Sequence, residues 1–478
     1  MSWDPIAKIA NDVQASTIKA IDLVEQSLAA IEKHKEYQAI ITVMAEQARS
    51  RAKVIDEKVA NGVKVGRLAG VPFIAKDNIL VRETEATASS NMLKGFVPPY
   101  QSTIVERLEA EGAICVAKAN QDAFGHGAST ENSDFFVTKN PHDKTRVPGG
   151  SSGGPAAAVV LEMAPFAIGT DTGGSIRQPA SYVGCVGLRP TYGLTSRSGV
   201  VAMASSTDTI GPLTMSVEDA AYVLDVYAGK DELDGTTIDR DPQGYVLPPI
   251  TRHLPTTKVG IIKEWMGEGL DDDVRKSIEK AAADLRAAGA SVEEVSLPSL
   301  PLALAVYYIL IPAEVSSNLA RHDGQRYQFS AESGKNLTES YTHSRAKGFG
   351  REAKRRIMIG TYVLSSGYYD AYYKKAQTVR TKLINEFNAV FEKYDFLIGP
   401  VAPNAAFKIG ENADDPLKMY LVDMMTVAPA LVGVPAISIP VQPSGTTGMP
   451  IGLQIIAAQR QDRELLAFAA AAEEAIHE

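Results

Sequence analysis

The segment 147–177, VPGGSSGGPAAAVVLEMAPFAIGTDTGGSIR, carries the clearest structural signal in this chain of 478 residues. The small and apolar residues from Pro155 to Met163 predict a tightly packed helix, in which Pro155 is acceptable because it lies in the first turn. Pro165 to Thr170 then predicts a buried strand, and Asp171 to Ser175 the turn that leaves it. Catalytic residues are often placed on such connections between rigid elements.

The sequence before this segment also alternates between helical and extended patterns. Thr103 and Glu106 form a capping-box pair that opens a helix, Gly112 would end it, and Ala113 to Ala117 predicts a buried strand. The first sixty residues look helical, with an amphipathic helix predicted over 16–34 from the spacing of Ile18, Ile21, Val24, Leu28 and Ile31.

The sequence after it continues in the same way. A long helix is predicted from Val379, Leu383, Phe387, Val390 and Phe391, which share one face. Further strands are predicted at 258–262, 396–398, 436–441 and 453–456. This alternation indicates an α/β fold with a mixed central sheet surrounded by helices.

We expect one domain over 1–478, because a single sheet often runs through an α/β enzyme of this length. Its parts are a helical segment at 1–65, a core at 66–230, a polar surface connection at 231–257 and a carboxy-terminal part at 258–478.

Composition excludes several classes of protein. A formal charge of -9 and a pI near 5.5 argue against a surface that holds nucleic acid directly. Cys115 and Cys185 are the only cysteines, so neither a disulfide framework nor a cysteine-rich zinc site can be built. The first ten residues lack the pattern of an export signal, and no uninterrupted apolar run reaches about 18 residues, so a cytosolic protein is expected.

Three familiar motifs fit poorly. Gly149, Ser151 and Gly153 satisfy G-x-S-x-G, but no apolar strand precedes them as a nucleophile elbow requires. The stretch 70–77 resembles a phosphate-binding loop, yet it lacks the glycine before the lysine and the hydroxyl after it. The seven histidines, including His126 and His142, show no metal-binding spacing and are interpreted as surface or packed imidazoles.

Lys76, Ser151 and Ser175 remain as candidates for catalysis. Lys76 follows an apolar stretch, and both serines are flanked by glycines. Each alone has an ordinary explanation, because an isolated lysine is usually a solvated charge and an isolated Gly-Ser is usually a turn. Together they supply a nucleophile and a base, since a serine hydroxyl attacks an amide only when a neighbouring group takes its proton.

A lysine can be that base only if its charge is suppressed, by burial or by a positive neighbour. Keeping a lysine with the ordinary pKa of about 10.4 neutral at pH 7 costs about 4.6 kcal/mol. Burial of Lys76 is therefore expected to supply most of that shift. Gly173 and Gly174, just before Ser175, would let main-chain N–H groups face the substrate, as an oxyanion hole requires.

The order of these motifs resembles the amidase signature family, whose members carry a lysine in a strand-like segment, a G-G-S-S-G-G run and a downstream G-G-S-I-R. Here they stand as Lys76, 149–154 and 173–177. The resemblance implies a Ser-cisSer-Lys triad with Ser175 as nucleophile, Lys76 as base and Ser151, after a cis peptide bond from Gly150, as the bridging serine. It also implies an oxyanion hole made by the amides of Thr172, Gly173, Gly174 and Ser175.

Nearly the whole chain resembles one branch of that family, the A subunits of tRNA-dependent glutamine amidotransferases. The shared traits lie at 129–132, 204–211, 348–364, 368–377 and 407–421, whereas Ala123 and Pro155 depart from the family pattern. The resemblance implies that this subunit hydrolyses glutamine without a cofactor or metal of its own. Ammonia would pass to a B subunit that uses ATP and Mg to convert Glu-tRNA(Gln) or Asp-tRNA(Asn), and a C subunit would complete a heterotrimer.

The same resemblance implies that an arginine and an aspartate hold the α-carboxylate and α-amino groups of glutamine. A guanidinium fork suits a carboxylate, and a carboxylate suits an ammonium. The candidates are Arg355 or Arg356 for the first group and Asp423 for the second. Two other hypotheses stay open: an amidase that acts alone on another small amide, and a noncatalytic scaffold, against which the intact Lys76, Ser151 and Ser175 argue.

Overall fold

A mixed β-sheet forms the centre of the molecule. The computed structural model describes residues 3–246, 254–327, 329–331 and 334–477, and within them the sheet has eleven strands. The strands are β1 (Ile40–Val43), β2 (Pro72–Lys76), β3 (Ile114–Ala119), β4 (Phe166–Asp171), β5 (Val186–Arg189), β6 (Thr209–Thr214), β7 (Lys258–Ile262), β8 (Ser291–Val295), β9 (Phe396–Pro400), β10 (Ala436–Val441) and β11 (Ile451–Ala457).

Helices surround this sheet, and the described part of the chain contains fifteen α-helices. They are α1 (Ile6–Gln14), α2 (Ala20–Lys33), α3 (Ala45–Ala60), α4 (Thr103–Ala110), α5 (Gly153–Val160), α6 (Arg177–Val183), α7 (Val217–Tyr227), α8 (Asp272–Ala287), α9 (Ala303–Asn318), α10 (Leu337–Gly348), α11 (Arg351–Val363), α12 (Lys375–Phe391), α13 (Pro416–Leu421), α14 (Val427–Val432) and α15 (Asp462–His477).

The strand order is β1-β3-β2-β4-β6-β5-β10-β11-β9-β7-β8. The groups β3-β2-β4 and β9-β7-β8 are parallel, and the other neighbours are antiparallel. The segments 1–65, 66–230 and 258–478 all contribute strands to this one sheet. The predicted α/β class, a mixed sheet surrounded by helices, is confirmed.

The parallel group β3-β2-β4 positions the candidate residues. All three strands are buried along their whole length, because helices cover both faces and apolar side chains fill them. Since the strands are parallel, their carboxyl ends lie at one edge of the sheet, where β2 ends at Lys76 and β4 ends at Asp171. Helix α5 packs on β2 and β4 beside this edge.

Helix α9 is a long, apolar covering helix. With its short 3₁₀ flanks, residues 300–321 form the one helical stretch in the described chain that is long and apolar enough to cross a membrane. It contacts α11, α12 and α14, and Leu310 and Ile311 are fully buried in the core. Its composition is therefore that of a helix packed inside the fold.

Some local predictions are wrong or need adjustment. The first sixty residues are not all helical, because Ile40–Val43 pairs with β3 as an edge strand. Helix α4 is capped by Ser102, whose Oγ accepts from the Val105 N–H, whereas Thr103 lies inside the helix. The Pro155 helix begins two residues earlier and ends at Val160. Residues 247–253 of the predicted surface connection lie outside the described residues.

Candidate active site

Lys76 ends β2 with its ammonium group fully buried. Its Nζ lies 2.8 Å from Ser151 Oγ, 2.8 Å from Ser152 Oγ and 2.9 Å from Thr170 Oγ1. Burial lowers the pKa of Lys76 to about 7, against the opposing charges of nearby aspartates. At pH 7 a large fraction of the amine is therefore neutral and has a lone pair for a hydroxyl proton.

Ser151 lies in the glycine-rich loop that leads into α5. The Gly150–Ser151 peptide bond is cis, and the serine is 1 % exposed. The next residue, Ser152, donates its N–H to the Ser175 carbonyl at 3.0 Å and so ties this loop to the turn after β4. Two stretches that are 23 residues apart in sequence are thereby held side by side.

Ser175 lies in the turn between β4 and α6, with 8 % of its surface exposed. Among the described residues its hydroxyl has no hydrogen-bond partner, so Oγ is free to face a substrate. The main-chain amides of Thr172, Gly173 and Ser175 likewise donate to no acceptor in the described chain. Gly174 differs from the expectation, because its N–H donates to Asp171 Oδ1 at 2.9 Å.

A buried ion-pair cluster holds this turn in shape. Asp171 accepts two bonds of 3.0 Å from the Arg177 guanidinium, one of 3.0 Å from Arg189, and one from the Ile176 N–H. Although burial disfavours the charged form, the two arginines keep the pKa of Asp171 well below its usual range. The sequence analysis did not predict this positioning cluster, although Arg177, the arginine of the G-G-S-I-R motif, could have indicated it.

Asp122 organises the other side of the site. Its carboxylate accepts the N–H groups of Thr130 and Asn132 at 2.9 and 3.0 Å. A Cβ atom added at Gly150 would lie 2.2 Å from this carboxylate, so only glycine allows the approach. Asp122 therefore fixes the loop that carries Ser151 against the 127–132 segment.

A cavity of about 210 Å³ contains all three residues predicted to bind substrate: Arg355, Arg356 and Asp423. Arg356 is 3 % exposed, donates through Nε to Glu352 Oε1 at 2.9 Å, and stacks its guanidinium over the rings of Tyr308 and Tyr420. Its two terminal nitrogens bond to no acceptor among the described residues. Arg355, in contrast, pairs its Nη1 with Glu352.

The cavity is also lined by hydrogen-bond acceptors that the sequence did not indicate, here called the acceptor wall. Ser129 Oγ, Glu131 Oε2 and Asn412 Oδ1 are buried and have no partner within the described chain. Asp423 adds a carboxylate that accepts the Tyr308 hydroxyl at 2.7 Å, and burial raises its pKa to about 7. The cavity thus combines guanidinium groups with hydrogen-bond acceptors and a carboxyl group, which suits a zwitterionic group.

The cavity and the Ser175 turn are joined by direct contacts. The Thr426 hydroxyl donates to the Gly173 carbonyl at 2.6 Å and to the Asp423 carbonyl at 3.1 Å. Helix α9 adds a second link, because Tyr308 bonds Asp423 while its neighbour Tyr307 packs on Gly173. A substrate bound in the cavity can therefore extend towards Ser175.

Taken together, these residues can perform acyl transfer. A buried lysine adjoins the Ser151 and Ser152 hydroxyls. Within the described chain, the Ser175 hydroxyl is unpaired and main-chain amides are free beside it. The charged cavity lies next to the reacting groups. This arrangement can hydrolyse an amide whose other end is zwitterionic.

Comparison with known proteins gives consistent results. The sequence profile of the Amidase family matches residues 22–466. The A subunit of glutamyl-tRNA(Gln) amidotransferase from Geobacillus thermodenitrificans is 50 % identical over 452 residues, which are 94 % of this chain and 93 % of that protein.

Two solved structures show the same fold. The A subunit of glutamyl-tRNA(Gln) amidotransferase from Thermotoga maritima is 39 % identical, with a TM-score of 0.79 over 95 % of this chain and 91 % of that chain. A protein described as part of a vestigial complex that reveals the origins of an s-triazine catabolic enzyme is 29 % identical, with a TM-score of 0.86 over 98 % of both chains.

Proposed function

The chain belongs to the amidase family, and we propose that it is the glutamine-hydrolysing A subunit of a tRNA-dependent amidotransferase. The observation that carries the chemistry is the 2.8 Å contact between the buried Lys76 Nζ and Ser151 Oγ. The similarity to glutamyl-tRNA(Gln) amidotransferase A subunits along more than nine tenths of the chain supports the substrate and the pathway.

In this proposal Lys76, Ser151 and Ser175 are the catalytic triad. Neutral Lys76 takes the proton of Ser151 while Ser151 takes that of Ser175, and Ser175 Oγ attacks the side-chain amide carbon of glutamine. The amides of Thr172, Gly173 and Ser175 stabilise the negative oxygen of the tetrahedral intermediate. The amide of Gly174 is engaged by Asp171 and instead keeps the turn in place.

The relay then runs in reverse. Lys76 returns its proton through Ser151 to the leaving nitrogen, the C–N bond breaks, and ammonia departs from a glutamyl ester on Ser175. Water attacks this ester with the same relay as general base. Glutamate leaves, and the free enzyme is restored.

The cavity holds the amino-acid end of glutamine. Arg356 binds the α-carboxylate, because its terminal nitrogens are unpaired and its plane is fixed between Tyr308 and Tyr420. Asp423 binds the α-amino group, with the acceptor wall of Ser129, Glu131 and Asn412 facing the same space. Arg355 donates to Glu352, which also accepts a hydrogen bond from Arg356, and so helps to position Arg356.

Ammonia is transferred to partner subunits in the cytoplasm. A B subunit, which uses ATP and Mg, converts misacylated Glu-tRNA(Gln), Asp-tRNA(Asn) or both, and a C subunit joins the heterotrimer. The acidic net charge of this chain supports a division of labour in which the partner holds the tRNA.

A second candidate is an amidase that acts on another small amide without tRNA or partners. The fold similarity to the protein linked to an s-triazine catabolic enzyme favours this alternative. Both candidate functions use the same triad, so the substrate that is hydrolysed distinguishes one from the other.

The decisive experiment measures ammonia release from glutamine by the purified chain, alone and with B and C subunits, ATP and misacylated tRNA. We expect release to rise with the partners and the tRNA to become amidated. Ser175→Ala should abolish release while glutamine still binds, as measured by calorimetry. Equal activity on simple amides with no response to partners would favour the second candidate.

A further inference from the structure

Three hydroxyl oxygens surround the amine of Lys76, although the relay described above uses only one of them. Ser151 Oγ and Ser152 Oγ each lie 2.8 Å from Lys76 Nζ, and Thr170 Oγ1 lies 2.9 Å from it. The Thr170 carbonyl adds a longer contact of 3.3 Å. Within the described chain, every hydrogen bond of this amine therefore goes to a neutral oxygen and none goes to a carboxylate.

The number of hydroxyls matches the charged form of the lysine. An ammonium group has three N–H donors, and here each donor finds one hydroxyl oxygen. Hydrogen bonds from a charged donor are about twice as strong as those between neutral groups. Lys76 becomes an ammonium in a fully buried position when it takes a proton. The three hydroxyls therefore stabilise this form more than they stabilise the neutral amine.

Ser152 is held so that its oxygen lone pairs face Lys76. Its hydroxyl donates to the Thr170 carbonyl at 3.2 Å, which directs the hydrogen away from the amine. Its N–H donates to the Ser175 carbonyl at 3.0 Å, so the main chain is fixed as well. The residue has no exposed surface. Ser152 is thus a fixed acceptor, whereas Ser151 has to give up and take protons.

The charged groups that act on Lys76 do not bond to its amine. Asp122, Asp171 and Asp208 each favour the ammonium form through their charges and so oppose the lowering of its pKa by burial. Their carboxylates bond to main-chain N–H groups, to arginines and to a threonine hydroxyl instead. None of these contacts involves Ser152, so removal of its hydroxyl isolates what that hydroxyl contributes.

We propose that Ser152 is a positioning residue that acts through Lys76: its hydroxyl holds the amine beside Ser151 and stabilises the ammonium that forms when Lys76 takes the proton. This inference rests on the proposed function for the role of Lys76 as the base. It adds no proton transfer to the relay, because Ser152 keeps its own proton on the Thr170 carbonyl.

The first test follows the pH dependence of ammonia release from glutamine in the native chain and in Ser152→Ala, assembled with any partner subunits that activity requires. We expect kcat at high pH to fall about tenfold while KM changes by less than about twofold, because Lys76 and not the substrate cavity is disturbed. The midpoint of the rise in kcat should move to lower pH by about one unit, since the ammonium loses a charged hydrogen bond.

The second test needs no activity. Urea unfolding of the native chain and Ser152→Ala at about pH 6 and about pH 9 measures how much unfolding free energy the hydroxyl contributes at each pH. Because the pKa of Lys76 is about 7 in the folded protein, the ammonium is present at the lower pH and the neutral amine at the higher one. The loss of stability in Ser152→Ala should therefore be larger at the lower pH.

Two variants control for structural effects. Ser152→Thr keeps the hydroxyl and should keep the native midpoint, even where its extra methyl group lowers kcat. Ser27→Ala removes another fully buried serine hydroxyl, which donates to the Met163 carbonyl, and should lose the same stability at both pH values and leave the midpoint unchanged. If Ser152→Ala does not fold, Thr170→Val removes the hydroxyl at 2.9 Å and takes its place with the same expected shift.

The outcomes are separable from the proposed function. A midpoint that stays or rises in Ser152→Ala, or an equal loss of stability at both pH values, would overturn the role of Ser152. A native chain that hydrolyses propionamide but not glutamine would overturn the glutamine assignment alone, and the midpoint is then measured on propionamide. A native kcat that does not change with pH would contradict Lys76 as the base, whereas the unfolding test would still decide whether the Ser152 hydroxyl stabilises the ammonium.

Discussion

The Thr426 hydroxyl donates a hydrogen bond to the Gly173 carbonyl oxygen at 2.6 Å, which joins the carboxy-terminal half of the chain to the turn that carries Ser175. Thr426 is also three residues from Asp423, whose carboxylate lines the cavity. In the proposed reaction, one hydrogen bond thus couples the position of the bound amino acid to the main-chain amides that would receive the developing negative charge.

Removal of this bond by Thr426→Val should impair catalysis as well as stability. The buried Gly173 carbonyl would lose its partner, which costs about 1–3 kcal/mol of unfolding free energy. We expect kcat for glutamine to fall about tenfold with little change in KM, because the turn rather than the cavity is disturbed. Steady-state kinetics and urea unfolding measure both. Thr426→Ser keeps the hydroxyl and is the control; a loss of stability with unchanged kcat would show a purely structural bond.

Activity should depend on pH through the proton of Lys76. Since burial lowers the pKa of Lys76 to about 7, the neutral base form increases as pH rises through that value. Asp423, with a pKa raised to about 7, ionises over the same interval and strengthens binding of the amino group. We expect kcat/KM for glutamine to rise through about pH 7 and then level off.

The contributions of Lys76 and Asp423 to this pH dependence can be separated with glutaramate, a substrate that lacks the α-amino group. Its hydrolysis should keep the rise that Lys76 causes and lose the part that Asp423 causes. A rate independent of pH between about 6 and 8 for both substrates would contradict the assignment of Lys76 as the base.

Lys76 should also affect how stability changes with pH. Its pKa is about 7 when folded and 10.5 when unperturbed, so between these values the unfolded chain binds a proton that the folded chain does not. The unfolding free energy of the native protein, relative to Lys76→Met, should therefore increase with pH by up to about 1.4 kcal/mol per pH unit. Below pH 7 the cost of burying the Lys76 amine lowers the unfolding free energy by its full amount. This cost decreases as the pH rises towards 10.

Urea unfolding at a series of pH values measures this slope. Lys53→Met, which removes an exposed lysine, is measured in parallel as the control for loss of a lysine side chain. A flat difference for Lys76→Met would mean that Lys76 stays protonated in the folded protein.

The two neighbouring arginines should differ in their effect on substrate binding. Arg356→Lys loses a planar fork whose terminal nitrogens face the cavity, so KM for glutamine should rise roughly 10- to 150-fold, the range for a lost charged hydrogen bond. Arg355→Lys should have a smaller effect, because Arg355 is more exposed and one of its terminal nitrogens is occupied by Glu352, whereas Arg356 is bonded to Glu352 only through Nε. Steady-state kinetics measure KM for glutamine in both variants. A larger KM for Arg355→Lys than for Arg356→Lys would show that Arg355, and not Arg356, binds the α-carboxylate.

Local sequence was sufficient for much of the architecture. Strands such as Lys258–Ile262 and Ala436–Val441 were predicted with the same bounds as in the structure, because each is a short apolar run between polar turns. β1 was missed, since Ile40–Val43 is an edge strand that exists only through its pairing with β3. The cap of α4 was misplaced by one residue, because Ser102 and Thr103 are adjacent and both residue types can cap a helix.

The catalytic candidates and the family could be inferred from motif order alone, and the family assignment is confirmed. Lysine, serine and glycine in a fixed succession limit the possible chemistry even before any distance is known. Folding alone decides that the Gly174 amide is taken by Asp171, and that Arg356 is buried against the rings of Tyr308 and Tyr420. Such facts depend on contacts between residues far apart in the chain, where burial and hydrogen-bond partners are set by packing and leave no local pattern.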